Sequence, residues 1–183
     1  MGDRQRIKAK GCLPKLEADP LKFTRNKSSG MARLIGTSTE HIQFNVWLQY
    51  HCFDRQQFGD ENGKREGIEL ETIRPLVSEA IKHLIFYASK LKLFSFIDED
   101  VPPGKHLRIV IRKEAPDGIM VNVATETHFL SPNEYEISMV TAMKDNGFFI
   151  AEGQYVIELL YDGDSALKKM DHGKLVEIYS VEL

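Results

Sequence analysis

The chain has 183 residues, of which 42% are hydrophobic and 28% are charged, and its net charge is −3. The length fits one domain with a tail, and the composition is that of an ordinary globular protein. No apolar run is long enough to cross a bilayer, and no positively charged start precedes an apolar stretch. We therefore expect no membrane partner, no signal peptide and a cytoplasmic location.

The two cysteines, Cys12 and Cys52, are far apart in the sequence, and no Cys-x-x-Cys motif is present. This spacing argues against a disulfide framework and against a cysteine-based zinc site. We expect Cys52 to be a small buried apolar residue. The sequence thus predicts neither a metal nor another cofactor.

Residues 1–36 form a predicted basic and mostly irregular N-terminal arm. Residues 1–27 contain eight Lys or Arg against three acidic residues, a net charge of +5, whereas the rest of the chain has 16 against 24, a net charge of −8. A basic arm on an acidic body could touch a nucleic-acid backbone, although a solvated tail explains the same composition. We divide the chain into this arm and a single α+β domain over residues 37–183.

Residues 41–58 contain two conflicting patterns. Apolar and polar residues alternate from Ile42 to His51, which is typical of a strand. Residues 37–40, Thr-Ser-Thr-Glu, form a capping box, Gly59 is a natural helix stop, and no Gly or Pro interrupts the segment. Because strands usually have about four to eight residues, we predict a helix and keep the strand as the alternative.

Residues 73–91 predict a second helix, because their apolar residues recur with a helical period. Apolar residues recur at the i, i+3, i+4 spacing of one helical face; they are Ile73, Leu76, Val77, Ala80, Ile81, Leu84, Ala88 and Leu91. Pro75 is tolerated only in the first turn, so we expect the helix to begin near residues 72–74 and to end before Phe94.

In the last part of the chain, apolar residues recur at every second position, which is the period of a strand. Five segments alternate between apolar and polar residues: 106–113, 118–130, 134–144, 147–162 and 174–183. Turn sequences separate the first four, and short connections join antiparallel neighbours. The predicted fold is therefore α+β, with two N-terminal helices packed on one face of a four- to five-stranded antiparallel meander sheet.

Tight turns fix a register for the first three of these strands. Pairing Lys113 with Ile119 and Phe129 with Tyr135 turns one apolar set toward the helices: Leu107, Ile109, Ile111, Val121, Val123, Ile137 and Met139. The other face then carries His106, Arg108, Arg112, Asn122, Glu126, His128, Glu136 and Ser138. In this register the expected cross-strand pairs are His106 with Glu126, Glu126 with Ser138, and His128 with Glu136.

The polar face has the groups that cleavage of RNA by its own 2′-hydroxyl requires. Our catalytic candidates are His106, Glu126, His128, Arg108 and Arg112, and the secondary candidates on the face are Glu136 and Ser138. Imidazole and carboxyl groups transfer protons near neutral pH, and guanidinium groups bind phosphate. The solvated face of an antiparallel sheet is normally polar as well, so charge pairs without a catalytic role are the alternative.

His51 and Arg55 are further secondary candidates, because on a helix they share a face one turn apart. They would then border the site at the rim of the sheet. An imidazole at the edge of the core and a solvent-exposed guanidinium explain the same pair.

Two helices followed by a four-stranded meander resemble the barnase–EndoU–colicin–RelE fold of small bacterial ribonuclease toxins. The stretch "REGIELETIRPLVSEAIKHL" (residues 65–84) is similar to the Arg-x-Gly-Ile start and helix of RelE-like domains. Residues 121–129 and 135–157 are similar to their paired central strands, the second of which ends near a Thr. The matching residue here, Thr141, is a further secondary candidate. The resemblance covers about residues 38–161. It implies RNA cleavage on the sheet face away from the helices.

Three functions are consistent with the sequence. The first is a metal-independent, RNA-cleaving toxin-like domain, with RNA as its partner and an antitoxin or immunity-type protein as a further one. The second is a non-enzymatic interaction or immunity-type protein whose acidic surface binds a basic partner. The third is an α+β domain that binds a small apolar ligand; its lining would be Met120, Phe129, Met139, Met143 and Phe148.

Overall fold

The computed structural model describes residues 23–38, 42–50, 52–54, 68–98 and 106–181 of the chain. In these ranges one long helix, α1 (Leu70–Lys90), accompanies eight strands. The strands are β1 (Ala32–Ser38), β2 (Gln43–Gln49), β3 (Arg108–Glu114), β4 (Met120–Ser131), β5 (Glu134–Lys144), β6 (Tyr155–Leu159), β7 (Ser165–Asp171) and β8 (Lys174–Val181).

All eight strands belong to one mixed sheet in the order β1-β2-β5-β4-β3-β6-β7-β8. Most neighbours are antiparallel, but β2 runs parallel to β5 and β3 runs parallel to β6. The predicted fold class is therefore wrong: the sheet is neither a four- to five-stranded meander nor fully antiparallel, and in the described residues two strands, β1 and β2, precede one long helix. The coarser prediction of α+β content is confirmed.

Residues 41–58 contain a strand where we predicted a helix. β2 pairs with β1 on one edge and with β5 on the other, and its buried side chains are every second residue, Phe44, Val46 and Leu48. A strand paired on both edges needs one apolar face toward the core, so the period-two alternation was the decisive signal. Helical backbone follows at residues 50 and 52–54.

The second predicted helix is confirmed as α1, with an earlier start than expected. The helix begins at Leu70, so Pro75 lies inside it and has no N–H to donate to the carbonyl of Glu71. Most of its apolar face is buried, as the period predicted; Ala88 is partly buried, and Leu91, also partly buried, follows the last residue of the helix. None of the helices in the described ranges is long and apolar enough to span a membrane.

The main core lies between α1 and one face of the sheet. It includes the face predicted to meet the helices, with the exception of Leu107; the confirmed members are Ile109, Ile111, Val121, Val123, Ile137 and Met139. Side chains of β2, β6 and β7 extend this core along the sheet. We call the opposite side of the sheet the open face.

The irregular described part of the N-terminal arm, residues 23–30, packs against β1 and against the residues that follow β2. Thr24 and Ala32 exchange two backbone hydrogen bonds, of 2.7 and 2.8 Å, and the ring of Phe23 contacts the rings of Tyr50 and Phe53. The boundary that we placed after residue 36 falls inside β1. Residues 23–30 thus belong to the same body as the sheet.

A buried histidine on α1, His83, predicts how stability depends on pH. His83 Nδ1 lies 2.9 Å from Ser165 Oγ, which in turn lies 2.6 Å from the Tyr87 hydroxyl. Burial lowers the pKa of His83 from its ordinary value of 6.5, outweighing the opposing effect of Glu79. The unfolded chain therefore binds a proton more readily than the folded chain does, so this contribution to stability is present above the ordinary value and is lost as the pH falls below it.

We expect His83→Asn to flatten the decline in the free energy of unfolding between about pH 7 and pH 5. Urea denaturation at a series of pH values measures this slope. His172→Asn is the matched control, because His172 is exposed in the β7–β8 turn and should leave the slope unchanged. Equal slopes in His83→Asn and the wild type would contradict the prediction.

Candidate active site

The open face of β4 and β5 is polar and, unlike a solvated sheet face, buried. Glu126 and Ser138 are 1% and 0% exposed, and Asn122, His128 and Glu136 are also buried. Burial of ionisable groups is costly unless they have partners. Glu126, His128, Glu136 and Ser138 therefore form a buried polar cluster, whereas the Asn122 amide donates to backbone carbonyls of residues 120, 143 and 145. This part of the face is not solvated, and charge pairs without a catalytic role stay the alternative.

Residues 26–28 cover part of this cluster. The Asn26 side-chain amide donates to Ser138 Oγ, the Lys27 backbone N–H donates to Glu136 Oε1 at 2.8 Å, and Ser28 Oγ lies 2.5 Å from His128 Nε2. Burial raises the pKa of Glu136, although the Lys27 N–H opposes the effect. Glu136 and Ser138 are thus occupied with the N-terminal segment.

Asp98 brings the two histidines of the face together. Its backbone N–H donates to the Thr127 carbonyl at 2.7 Å, in a parallel bridge beside His128. Its Oδ2 lies 3.0 Å from His106 Nδ1 and 4.0 Å from His128 Nδ1. The two imidazole rings are perpendicular, with centroids 5.1 Å apart. Asp98 can therefore orient His106 and fix which of its ring nitrogens carries the proton.

Arg108 and Glu126 form an ion pair between neighbouring strands. Arg108 Nε donates to Glu126 Oε1 at 2.7 Å; the arginine side chain is 52% exposed, whereas the carboxylate is almost fully buried. Although burial opposes ionisation, the neighbouring His128, Ser28 and Arg108 hold the pKa of Glu126 at about 2. Glu126 is consequently ionised at neutral pH and cannot act as a general acid there; it holds Arg108.

The cross-strand register explains these pairs. The predicted pairs of Glu126 with Ser138 and of His128 with Glu136 are confirmed. The predicted pair of His106 with Glu126 is wrong, because β3 is shifted by two residues and Arg108 lies opposite Glu126. A shift of two residues leaves each side chain on its predicted face.

A cavity of about 550 Å³, which we call the cleft, opens beside Asp98 and His106. It is lined by residues 98 and 106–108, by Ala124 of β4, by residues 140–141 of β5, and by residues 148–149 and 151–154 of the β5–β6 connection. Its volume lies in the range of about 300–1,000 Å³ typical of small-molecule sites. Phe149 is 82% exposed and is available to a ligand.

The site residues predicted from the sequence differ in whether they line the cleft. His106, Arg108 and Thr141 line the cleft, whereas Glu126 and His128 lie beneath the covering residues. Arg112 is four residues along β3 from Arg108, a distance of roughly 13 Å at about 3.3 Å per residue, and it does not line the cleft. His51 and Arg55 lie outside the described residues.

Asp98, Ser28 and Phe149 were not identified as site residues from the sequence. Asp98 stands in an acidic, proline-containing stretch that resembles a surface turn, and Ser28 stands in a polar run of the arm. No local pattern distinguishes either residue. Phe149 lay in a predicted strand and was not singled out, whereas Phe148 was named only as a residue lining an apolar-ligand pocket.

Among the residues that the structure describes, two groups of side chains have donor atoms close enough to hold a metal ion. Asp98, His106 and His128 form one, and the exposed group Glu152, Asp171 and His172 forms the other. Two imidazoles and a carboxylate are ligands that zinc accepts.

Comparison of the chain with protein-family models, with curated proteins and with solved structures finds no match. The site must therefore be interpreted from its own geometry.

Proposed function

We propose that the cleft binds one nucleotide unit of single-stranded RNA and that the chain cleaves the adjoining phosphodiester bond without a metal ion. The observation that carries the proposal is the presence, at one cleft, of an aspartate-oriented imidazole, His106, and a half-exposed guanidinium, Arg108. A proton acceptor and a phosphate-binding cation are the two groups that the reaction requires first.

His106 would act as the proton acceptor. Its Nδ1 lies 3.0 Å from Asp98 Oδ2, and its side chain is 24% exposed, so it is both oriented and accessible. His106 would take the proton of the 2′-hydroxyl as the 2′-oxygen attacks phosphorus. The bond from phosphorus to the 5′-oxygen then breaks, and water supplies a proton to that oxygen. The products are a 2′,3′-cyclic phosphate and a new 5′-hydroxyl.

The second role is that of Arg108, which would bind the phosphate. Its Nε is bonded to Glu126, so its terminal Nη groups are not used in that pair. A guanidinium held by a buried carboxylate is fixed in position before the substrate binds, and electrostatic stabilisation is strongest when the charge is preorganised. Glu126 is therefore a positioning residue in this proposal.

The aromatic side chains Phe148 and Phe149 would contact the base. Stacking of a base on an aromatic ring contributes about 1–3 kcal/mol and tolerates any base. A cleft for one nucleotide needs one cation rather than a basic groove, so the proposal is compatible with the net charge of −8 outside residues 1–27.

The alternative of an apolar-ligand site has less support from the geometry. Of the five residues predicted to line it, Phe148 alone lines the cleft; Met139 and Met143 are buried. The alternative of an acidic binding protein stays a prediction.

Arg108→Ala tests the phosphate role. We expect kcat/KM for RNA cleavage to fall by about 10²- to 10³-fold, the usual loss when one charge-stabilising donor is removed. Arg112→Ala is the matched control on the same strand and should retain the wild-type value. Arg108→Ala leaves the buried Glu126 without its cation and could therefore disturb the fold. Arg108→Lys keeps a positive charge beside Glu126 and is the second variant, which separates loss of phosphate binding from loss of structure. An equal loss in Arg108→Ala and Arg112→Ala, with both proteins folded, would contradict the assignment.

A further inference from the structure

We propose that Asp98, His106 and His128 form a binding site for one divalent transition-metal ion of the zinc type. One ligand atom from each residue can be chosen so that all three lie within 4.8 Å of one another. Ligands of a tetrahedral ion with bonds of about 2.0–2.1 Å are about 3.3 Å apart. The distances from Asp98 Oδ2 to the Nδ1 atoms of His106 and His128, 3.0 and 4.0 Å, bracket this value.

The carboxylate of Asp98 has one oxygen without a partner. Asp98 is only 6% exposed, and its buried Oδ1 has no hydrogen-bond partner in the described part of the chain. A buried polar atom that loses its water and gains no partner is costly. A cation bound beside the two imidazoles through Oδ1, or through both oxygens of the carboxylate, would give Oδ1 this missing partner.

The surroundings of the three residues match those of a metal site. His128 Nε2 contacts Ser28 Oγ, which leaves Nδ1 directed to the Asp98 side, and the Leu107 backbone N–H donates to Asp98 Oδ2 at 3.1 Å. Metal-binding histidines commonly use the second ring nitrogen for such a hydrogen bond, which orients the ring. The backbone bridge between Asp98 and His128 fixes two of the three ligands relative to one another.

The cleft gives the ion a route to the site. Asp98 and His106 both line it, so a water molecule or a ligand group in the cleft can complete the coordination. An ion at His106 would take the lone pair of a ring nitrogen, and a metal-bound imidazole is a poor proton acceptor. Zinc should therefore inhibit the RNA cleavage proposed above. This consequence rests on the proposed function, whereas metal binding itself does not.

The test uses the full chain after removal of metals with a chelator. Isothermal titration calorimetry with Zn²⁺ measures the affinity, and the visible absorption of Co²⁺ added in place of zinc reports the coordination. We expect one strongly bound ion per chain. Ser28→Ala should weaken binding by about 10- to 100-fold, the usual effect of losing an orienting partner, and His106→Ala and His128→Asn should weaken it further.

His172→Ala is the matched control, because His172 belongs to the other, exposed donor group. It should retain the strong binding. Because His128 is buried, its replacement could disturb the fold, so circular dichroism of each variant is used to test whether the fold is kept. His106 is partly exposed, and its replacement tests the site without removing a buried side chain. The proposal is overturned if the wild-type chain binds no ion, or if folded His106→Ala binds with wild-type affinity.

Cleavage assays in the presence of a chelator separate the two proposals. If the chain binds the ion in the titration but leaves RNA intact in the cleavage assay with chelator, the metal site is supported and the proposed function is overturned. Cleavage in chelator by a chain that binds no ion would overturn the metal site and support the proposed function.

Discussion

Replacement of His106 by alanine is expected to lower the rate of RNA cleavage by about 10²- to 10⁴-fold, the usual contribution of a positioned proton acceptor. His106 is the histidine that lines the cleft in the described part of the chain, and Asp98 orients it through a 3.0 Å contact. Rates under single-turnover conditions measure the effect on the chemical step.

His172→Ala is the control for this prediction, since His172 is exposed and outside the cleft. It should cleave at the wild-type rate. Asp98→Asn should also lower the rate, because an amide cannot stabilise a protonated imidazole. Wild-type cleavage by folded His106→Ala would remove His106 from the mechanism and leave the cleft without its proton acceptor.

The second large effect concerns the core between α1 and the sheet. Leu84 of α1 is buried in that core, and its replacement by alanine is expected to reduce the free energy of unfolding by about 2–5 kcal/mol through lost burial and a residual cavity. Ile85, the next residue, is partly exposed, so Ile85→Ala should cost about 0.5 kcal/mol or less. Urea denaturation of both variants measures the difference, and similar losses would contradict the placement of α1.

The elements that sequence analysis predicted correctly are those with strong local patterns. α1 has a sustained helical period, and β4 and β5 alternate on either side of a tight turn, where Asn133 adopts a positive φ of 66°. The prediction of a helix in place of β2 was wrong, because a local capping box and a long uninterrupted segment were given more weight than the alternation of apolar and polar residues. The competing information, the pairing of β2 with β5, comes from far along the chain.

β1 and β7 were missed for different reasons. β1 lies partly in a segment whose basic composition suggested a tail. β7 has the short, lysine-containing sequence "SALKKMD", and its apolar residues do not alternate clearly. The two parallel pairs could not be predicted, because no local sequence signal specifies a parallel partner that follows a long crossover.

The candidate site was predicted in its parts but not in its arrangement. Alternation and turn positions placed His106, Arg108, Glu126 and His128 on one face, and that grouping agrees with the structure. The sequence could not indicate that Asp98 would lie beside the two histidines, because a single isolated bridge positions it. It also could not indicate which polar residues the arm would cover.

Cleavage of a short single-stranded RNA by the wild-type chain in the presence of a chelator is the decisive experiment for the proposed function. We expect cleavage to a product ending in a 2′,3′-cyclic phosphate, and no cleavage at a position where a single 2′-deoxynucleotide replaces the ribonucleotide. Intact RNA at stoichiometric protein concentration, or equal cleavage at the 2′-deoxy position, would contradict it.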